Sequence, residues 1–159
     1  MKVLIAEDDD FFSRLLQQVL KTEFEVSLAQ NGNEAWNVLQ QNAEPILAIL
    51  DWVMPGMTGP QICREARSHT ETAGTYMILL TAKNSAADII AGLRSGADDY
   101  VTKPFQPEEL RARVRMGKRI LDLQSALDTS KSALERALDR EKQLQERLRS
   151  LEAAKAATA

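Results

Sequence analysis

Four short stretches carry residue types suited to phosphoryl chemistry: EDDD at 7–10, Asp51 within DWVMPGMTG at 51–59, Thr81-Ala82, and Lys103 within YVTKPF at 100–105. Carboxylates brought together repel one another unless a hard cation lies among them. Mg²⁺ suits such oxygen donors, because it retains waters and shares one or two carboxylates with a phosphate. Asp8, Asp9 and Asp51 are the expected cage. A carboxylate oxygen in line with an incoming phosphorus is a competent nucleophile, the role that fits Asp51. Lys103 supplies a compact positive charge and Thr81 a hydroxyl, both acting on phosphoryl charge that a metal leaves unneutralised.

These groups are far apart in sequence, so a scaffold must gather them. Val3 to Ala6, Phe24 to Ala29, Ile46 to Leu50, Tyr76 to Leu80 and Tyr100 to Val101 are short apolar runs that predict strands. Between them, Phe12 to Lys21, Glu34 to Gln41, Pro60 to Ser68 and Ala86 to Ser95 have apolar residues three and four apart, as amphipathic helices do. Asn31-Gly32 opens the second helix, Ser85 with Asp88 reads as a capping box for the fourth, and Gly96 closes it. Repeated strand-helix units build a doubly wound α/β fold, a parallel sheet covered on both faces. Its ligands bind beyond the carboxyl ends of the strands, where all four stretches fall.

Beyond Pro107 there is no further proline and Gly117 is the last glycine, while Leu, Ala, Glu, Lys, Arg and Gln abound. That composition predicts one long helix. From Glu108 to Leu151 it would run roughly 65 Å at about 1.5 Å per residue, longer than an α/β unit can cover. Ile120, Leu123, Leu127, Leu134, Ala137, Leu144, Leu148 and Leu151 follow alternating steps of three and four, interrupted by Ser130 and Glu141. This is a heptad seam, and a second copy in parallel is the expected way to bury it. Leu138 either broadens the seam or marks a second register. The expected divisions are 1–119 for the α/β domain, 120–152 for the coiled coil and 153–159 for a frayed tail.

The net charge of −3 argues against a large basic face for nucleic acid, so no direct nucleic-acid partner is expected. Cys63 is the single cysteine, which excludes an internal disulfide and fits a small residue on a helix. The opening apolar stretch is too short for a signal-peptide core or a membrane span, and the expected location is the cytoplasm, with no membrane partner. Asp10 is read as a helix cap, and His69, in SHTETAGT, as a solvated loop residue.

Together, EDDD, DWVMPGMTG, TA and YVTKPF resemble, in order and over roughly residues 2–120, the receiver domain of two-component response regulators. The resemblance implies a flavodoxin-like five-stranded sheet of order 2-1-3-4-5. It implies that Asp51 accepts a phosphoryl group from a histidine kinase or phosphotransfer protein. Asp8 and Asp9 would hold Mg²⁺ with Asp51, and the Val53 main-chain carbonyl would complete the protein ligands. Thr81 and Tyr100 would form a switch pair, and Lys103-Pro104 a cis peptide. Thr58 departs from the family, which often has an acidic residue before Gly59, and bulky Trp52 follows the acceptor.

The resemblance implies a switch that feeds a dimeric helix and an output domain, and no enzyme beyond Mg²⁺-dependent self-phosphorylation and autodephosphorylation. Two other outcomes stay open. RMGKRILDLQSAL at 115–127 looks like the linker of receiver-diguanylate cyclase proteins, which would make the chain the regulatory part of an output enzyme. Alternatively the helix docks a partner by itself, as a stand-alone interaction protein. A haloacid-dehalogenase-type phosphatase needs a second aspartate two residues after the nucleophile, where this chain has Val53.

Overall fold

The computed structural model describes residues 1–42, 44–83 and 85–159, in two units, Met1–Leu121 and Asp122–Ala159. In the first, strand and helix alternate: β1 Lys2–Ala6, α1 Asp10–Leu20, β2 Glu25–Ala29, α2 Gly32–Gln41, β3 Leu47–Asp51, α3 Gly59–Ser68, β4 Tyr76–Thr81, α4 Ala86–Arg94, β5 Asp99–Thr102, then the start of α5, Pro107–Ala157. The strands pair in parallel in the order β2-β1-β3-β4-β5, the expected flavodoxin-like arrangement.

Every residue of β3 and β4 is buried, because helices cover both faces of a parallel sheet and leave no polar side to the strand. Alternation then divides the core. Val3, Ile5, Leu47, Ile49, Ile78 and Leu80 meet Leu16 and Leu20 of α1 and Leu110 and Val114 of α5. Leu4, Ala6, Ala48, Leu50, Met77 and Leu79 meet Ala35 and Leu39 of α2 and Ile62 and Ala66 of α3.

The helix starts are set by side chains. Asn31 accepts from Glu34 N, and Ser85 from Asp88 N. Thr58 forms a full capping box with Gln61, which gives the residue that departs from the family pattern a role of its own. Gly96 follows α4 at φ +102°, a conformation that favours glycine. Arg67 of α3 ties the β4 edge together, its Nε donating to Gly96 O and its guanidinium bonding Thr75 O, Ala73 O and Asp98.

At Gly117 α5 packs closely on the sheet: a Cβ there would lie 2.5 Å from Tyr76 Cδ1 and 2.6 Å from Leu47 Cδ1. A helix-interior glycine costs about 1 kcal/mol relative to alanine, so close packing is the reason to keep one here. Gly117→Val is expected to lower unfolding stability by about 2 kcal/mol through overpacking. A denaturant midpoint equal to that of the wild type would refute this.

One expected boundary shifts. Leu121 is buried in the first core and Ile120 packs against it, so the α/β unit extends past residue 119 and Ile120 belongs to its core rather than to an outer seam. Residues 153–157 continue the helix, consistent with the high helix propensity of alanine. Within the second unit, Leu123, Leu127, Leu134, Leu138, Leu144, Leu148 and Leu151 are all exposed.

Candidate functional site

The carboxyl ends of β1, β3 and β5 bring acidic and basic groups together. β1 delivers Glu7 just after its last residue, with Glu7 N still bonded to Ala29 O of β2. β3 ends on Asp51, and Lys103 follows β5 at a cis Lys103-Pro104 peptide. Lys103 Nζ lies 2.7 Å from Glu7 Oε2 and 3.1 Å from Asp51 Oδ1. The ammonium also stands 4.4 Å from the centre of the Phe12 ring, which is partly buried against Phe105. Packing and charge together therefore fix where the lysine ends.

Both carboxylates are buried, Glu7 at 1% exposure and Asp51 at 9%. Burial raises the pKa of each, and the hydrogen bond from Lys103 only partly opposes it. Asp8 adds to the rise at Asp51. Burial alone would push Lys103 down, but its bonds to Glu7 and Asp51 leave it raised. The lysine is thus held charged between two carboxylates that are costly to ionise.

Carboxylate oxygens of Glu7, Asp8 and Asp51 lie within 4.8 Å of one another, with Asp8 exposed at the mouth. Three carboxylates against one ammonium leave surplus negative charge. A donor set of hard oxygens with a solvent-facing member fits Mg²⁺, which keeps several waters.

This corrects the expected cage. Asp9 is not in the cluster: its Oδ1 accepts from Phe11 N and Phe12 N and caps α1. The expected cap, Asp10, is instead the first helical residue. Glu7 takes the inward position. The signal for it was present, since Glu7 directly follows the buried run of β1, while an aspartate just before an amphipathic helix is a preferred cap.

Thr81 is buried, and its Oγ1 accepts from Lys83 N at 2.9 Å while its carbonyl accepts from Lys103 N at 2.7 Å. Tyr100 is partly buried against the second core, and the Val53 side chain is exposed. His69 is exposed, with Nδ1 against Glu65 O and its ring edge-on to Trp36. Buried Cys63 has its thiol pushed up to about 12 by desolvation, so it is inert as a nucleophile.

Sequence reasoning gave no role to two neighbours of Asp51. Gly59, at the start of α3, lets the chain pass against Asp51, since a Cβ there would lie 2.5 Å from Asp51 O. The Trp52 main-chain N donates to Leu80 O, and its ring meets the open face of Gly92 in α4, where an added Cβ would be 3.0 Å from Trp52 Cζ3. Lys83 Nζ stands 5.2 Å from the same ring. Trp52 therefore meets both α4 and the loop after β4.

Comparison with known proteins agrees with this geometry. The family described as "Response regulator receiver domain" matches residues 3–115. Over 115 residues the chain is 44% identical to the phosphate regulon transcriptional regulatory protein PhoB of Rhizobium meliloti, covering 72% of this chain and 50% of that protein. It is 40% identical to the DNA-binding response regulator MtrA of Mycolicibacterium smegmatis, covering 72% and 49%. A putative response regulator from Chloroflexus aurantiacus superposes with a TM-score of 0.69 at 38% identity, over 76% of this chain and 97% of that one. The chain spans about half the length of the curated relatives it matches.

Proposed function

The chain belongs to the response regulator receiver domain family, and from that premise we propose that Asp51 accepts a phosphoryl group from a histidine kinase or phosphotransfer protein, with Mg²⁺ held at Glu7, Asp8 and Asp51. Family membership makes the chain a module of phosphorylation-dependent signalling that works with histidine kinases, not an enzyme in the main sense. The observation that carries the residue assignment is the Lys103 ammonium clamped between Glu7 and Asp51 beside the open carboxylate of Asp8.

A Asp51 carboxylate oxygen forms the new O–P bond as the bond from phosphorus to the donor breaks, and the donor leaves with that electron pair. Lys103 stabilises negative charge on the phosphoryl oxygens without transferring a proton, and Thr81 offers its hydroxyl to another of them. When bound, Mg²⁺ supplies the remaining neutralisation, with the Val53 carbonyl as a further ligand. Self-phosphorylation from small acyl phosphates and hydrolysis of the acyl phosphate belong to the same site. A hydroxyl of Thr81 drawn towards the phosphoryl group draws Tyr100 inward behind it, biasing a pre-existing equilibrium of the α4–β5–α5 surface.

Trp52 supplies the test, because it follows Asp51 and packs on α4. In a Trp36→Phe background, its emission is expected to change when beryllium fluoride and Mg²⁺ are added together, and not with beryllium fluoride alone. An emission spectrum unmoved by the pair would overturn the assignment of the site.

The output of the whole protein is a separate proposal: a second copy pairs through residues 122–152 and an attached domain reads the pairing. The sequence expectation of no nucleic-acid partner is withdrawn for that whole protein, since PhoB is named a transcriptional regulatory protein and MtrA a DNA-binding one. A regulatory fragment of a diguanylate cyclase, or a stand-alone interaction protein, is the alternative to that proposal. Among the described residues no helix is long and apolar enough to cross a membrane, and cytoplasmic placement is proposed from the family.

A further inference from the structure

The second unit leaves Leu123, Leu127, Leu134, Leu144, Leu148 and Leu151 exposed on its helix. Heptad spacing puts these leucines at seam positions, with Glu141 in the seam between Leu134 and Leu148. A carboxylate there is costly in a pair of identical helices unless something meets it. Its present partner is Gln145 Nε2 of the same helix, at 3.3 Å.

Resting on the dimer reading above, we propose that the partner is a second copy of this chain, parallel and in register, fixed there by an ionic layer in which Glu141 meets the partner's Arg140. In a parallel pair, each seam residue of the Leu127, Leu134, Glu141 and Leu148 set packs beside the flanking residue that precedes its counterpart, so Arg140 of each helix falls next to Glu141 of the other. One heptad further, Arg147 lies across from the partner's Glu152, an opposite-charge flank of the kind that selects partner and orientation. Four complementary contacts follow from the two-fold relation.

Antiparallel pairing loses them. Two antiparallel alignments keep leucine opposite leucine. One sets Arg140 against the partner's Arg140, and the other sets Arg140 and Arg147 beside the partner's Ala133 and Ala126. All six seam leucines meet their counterparts in the parallel pair and only four of them do so in either antiparallel one, so leucines and flanking charges together favour the parallel pair, and the Arg140 contacts offset the cost of setting the two Glu141 carboxylates opposite each other.

Two measurements on the full chain test this, each with and without Mg²⁺ and beryllium fluoride. Under oxidation, Leu151→Cys is expected to give a disulfide-linked dimer, because only in-register parallel helices bring residue 151 to its own counterpart; buried Cys63 does not compete. In sedimentation, Glu141→Arg is expected to weaken self-association by about tenfold or more, and Arg140→Glu with Glu141→Arg to restore it towards the wild type. A wild-type dimer without the 151 cross-link, or without rescue by the double exchange, overturns the ionic register. A wild-type chain that is monomeric under every condition overturns the dimer reading itself.

Discussion

Asp51→Asn is expected to abolish phosphoryl uptake: with Mg²⁺ and a small acyl phosphate such as acetyl phosphate, the wild type should approach about one phosphoryl group per chain and the variant none. The amide keeps the size of the carboxylate but removes the nucleophilic oxygen. Intact-mass measurement reads the difference directly. The variant should still fold, because burial raises the pKa of Asp51, which means that its charged form costs stability in the native state. Lys103 keeps its bond to Glu7 in the variant. A melting temperature equal to or above that of the wild type at pH 7 without Mg²⁺ would show that lost uptake is lost chemistry. Uptake at the wild-type level would place the acceptor elsewhere.

The scaffold for Asp51 was legible because short apolar runs alternate with amphipathic helical patterns along the first 105 residues, and the runs Ile46 to Leu50 and Tyr76 to Leu80 fall on β3 and β4, which are buried throughout. The placement of Asp51, Thr81 and Lys103 at one end of the sheet was legible because each ends or follows a strand. The division of labour within EDDD was not. Four consecutive acidic residues differ only in where the chain turns from strand to helix, and that turn sends Glu7 inward, leaves Asp8 at the mouth and gives Asp9 to the α1 cap. A shift of one residue in the expected helix start was enough to shift the expected acidic cluster by one residue. Contacts that depend on the absence of a side chain were equally hidden. Gly59 against Asp51 O, Gly92 against Trp52 and Gly117 against Tyr76 are close approaches that no pattern of apolar residues announces.

The end of the α/β unit was misread for a related reason. Ile120 fits the heptad steps of the residues after it, yet it also lies on the α5 face that packs against Leu121's core. Near a domain edge the periods of an amphipathic helix and of a coiled coil overlap, so spacing cannot say which surface claims the residue.

Lys103→Met is expected to destabilise the protein by roughly 3 kcal/mol at pH 7 without divalent cations, the low end of what breaking a buried ion pair costs. The thioether keeps much of the packing against Phe12 but leaves Glu7, almost fully buried, and Asp51 without their shared ammonium. The pH dependence has a definite sign. Both carboxylates have folded pKa values raised above their ordinary 4.5 and 3.8, so the folded state binds the extra protons. Their contribution is most favourable below those ordinary values and is lost as pH rises through the raised ones. Removing Lys103 takes away the bond that opposed the rise, so the window widens upward and the penalty in Lys103→Met should shrink as the solution is acidified from pH 7 towards 5. Mg²⁺ at pH 7 should stabilise the variant more than the wild type, because a cation among Glu7, Asp8 and Asp51 replaces charge that the lysine no longer supplies. Thermal melts across pH, with Mg²⁺ and with chelator, measure all three effects. A variant as stable as the wild type at pH 7, or a penalty that grows on acidification, would mean that Lys103 does not hold these carboxylates together.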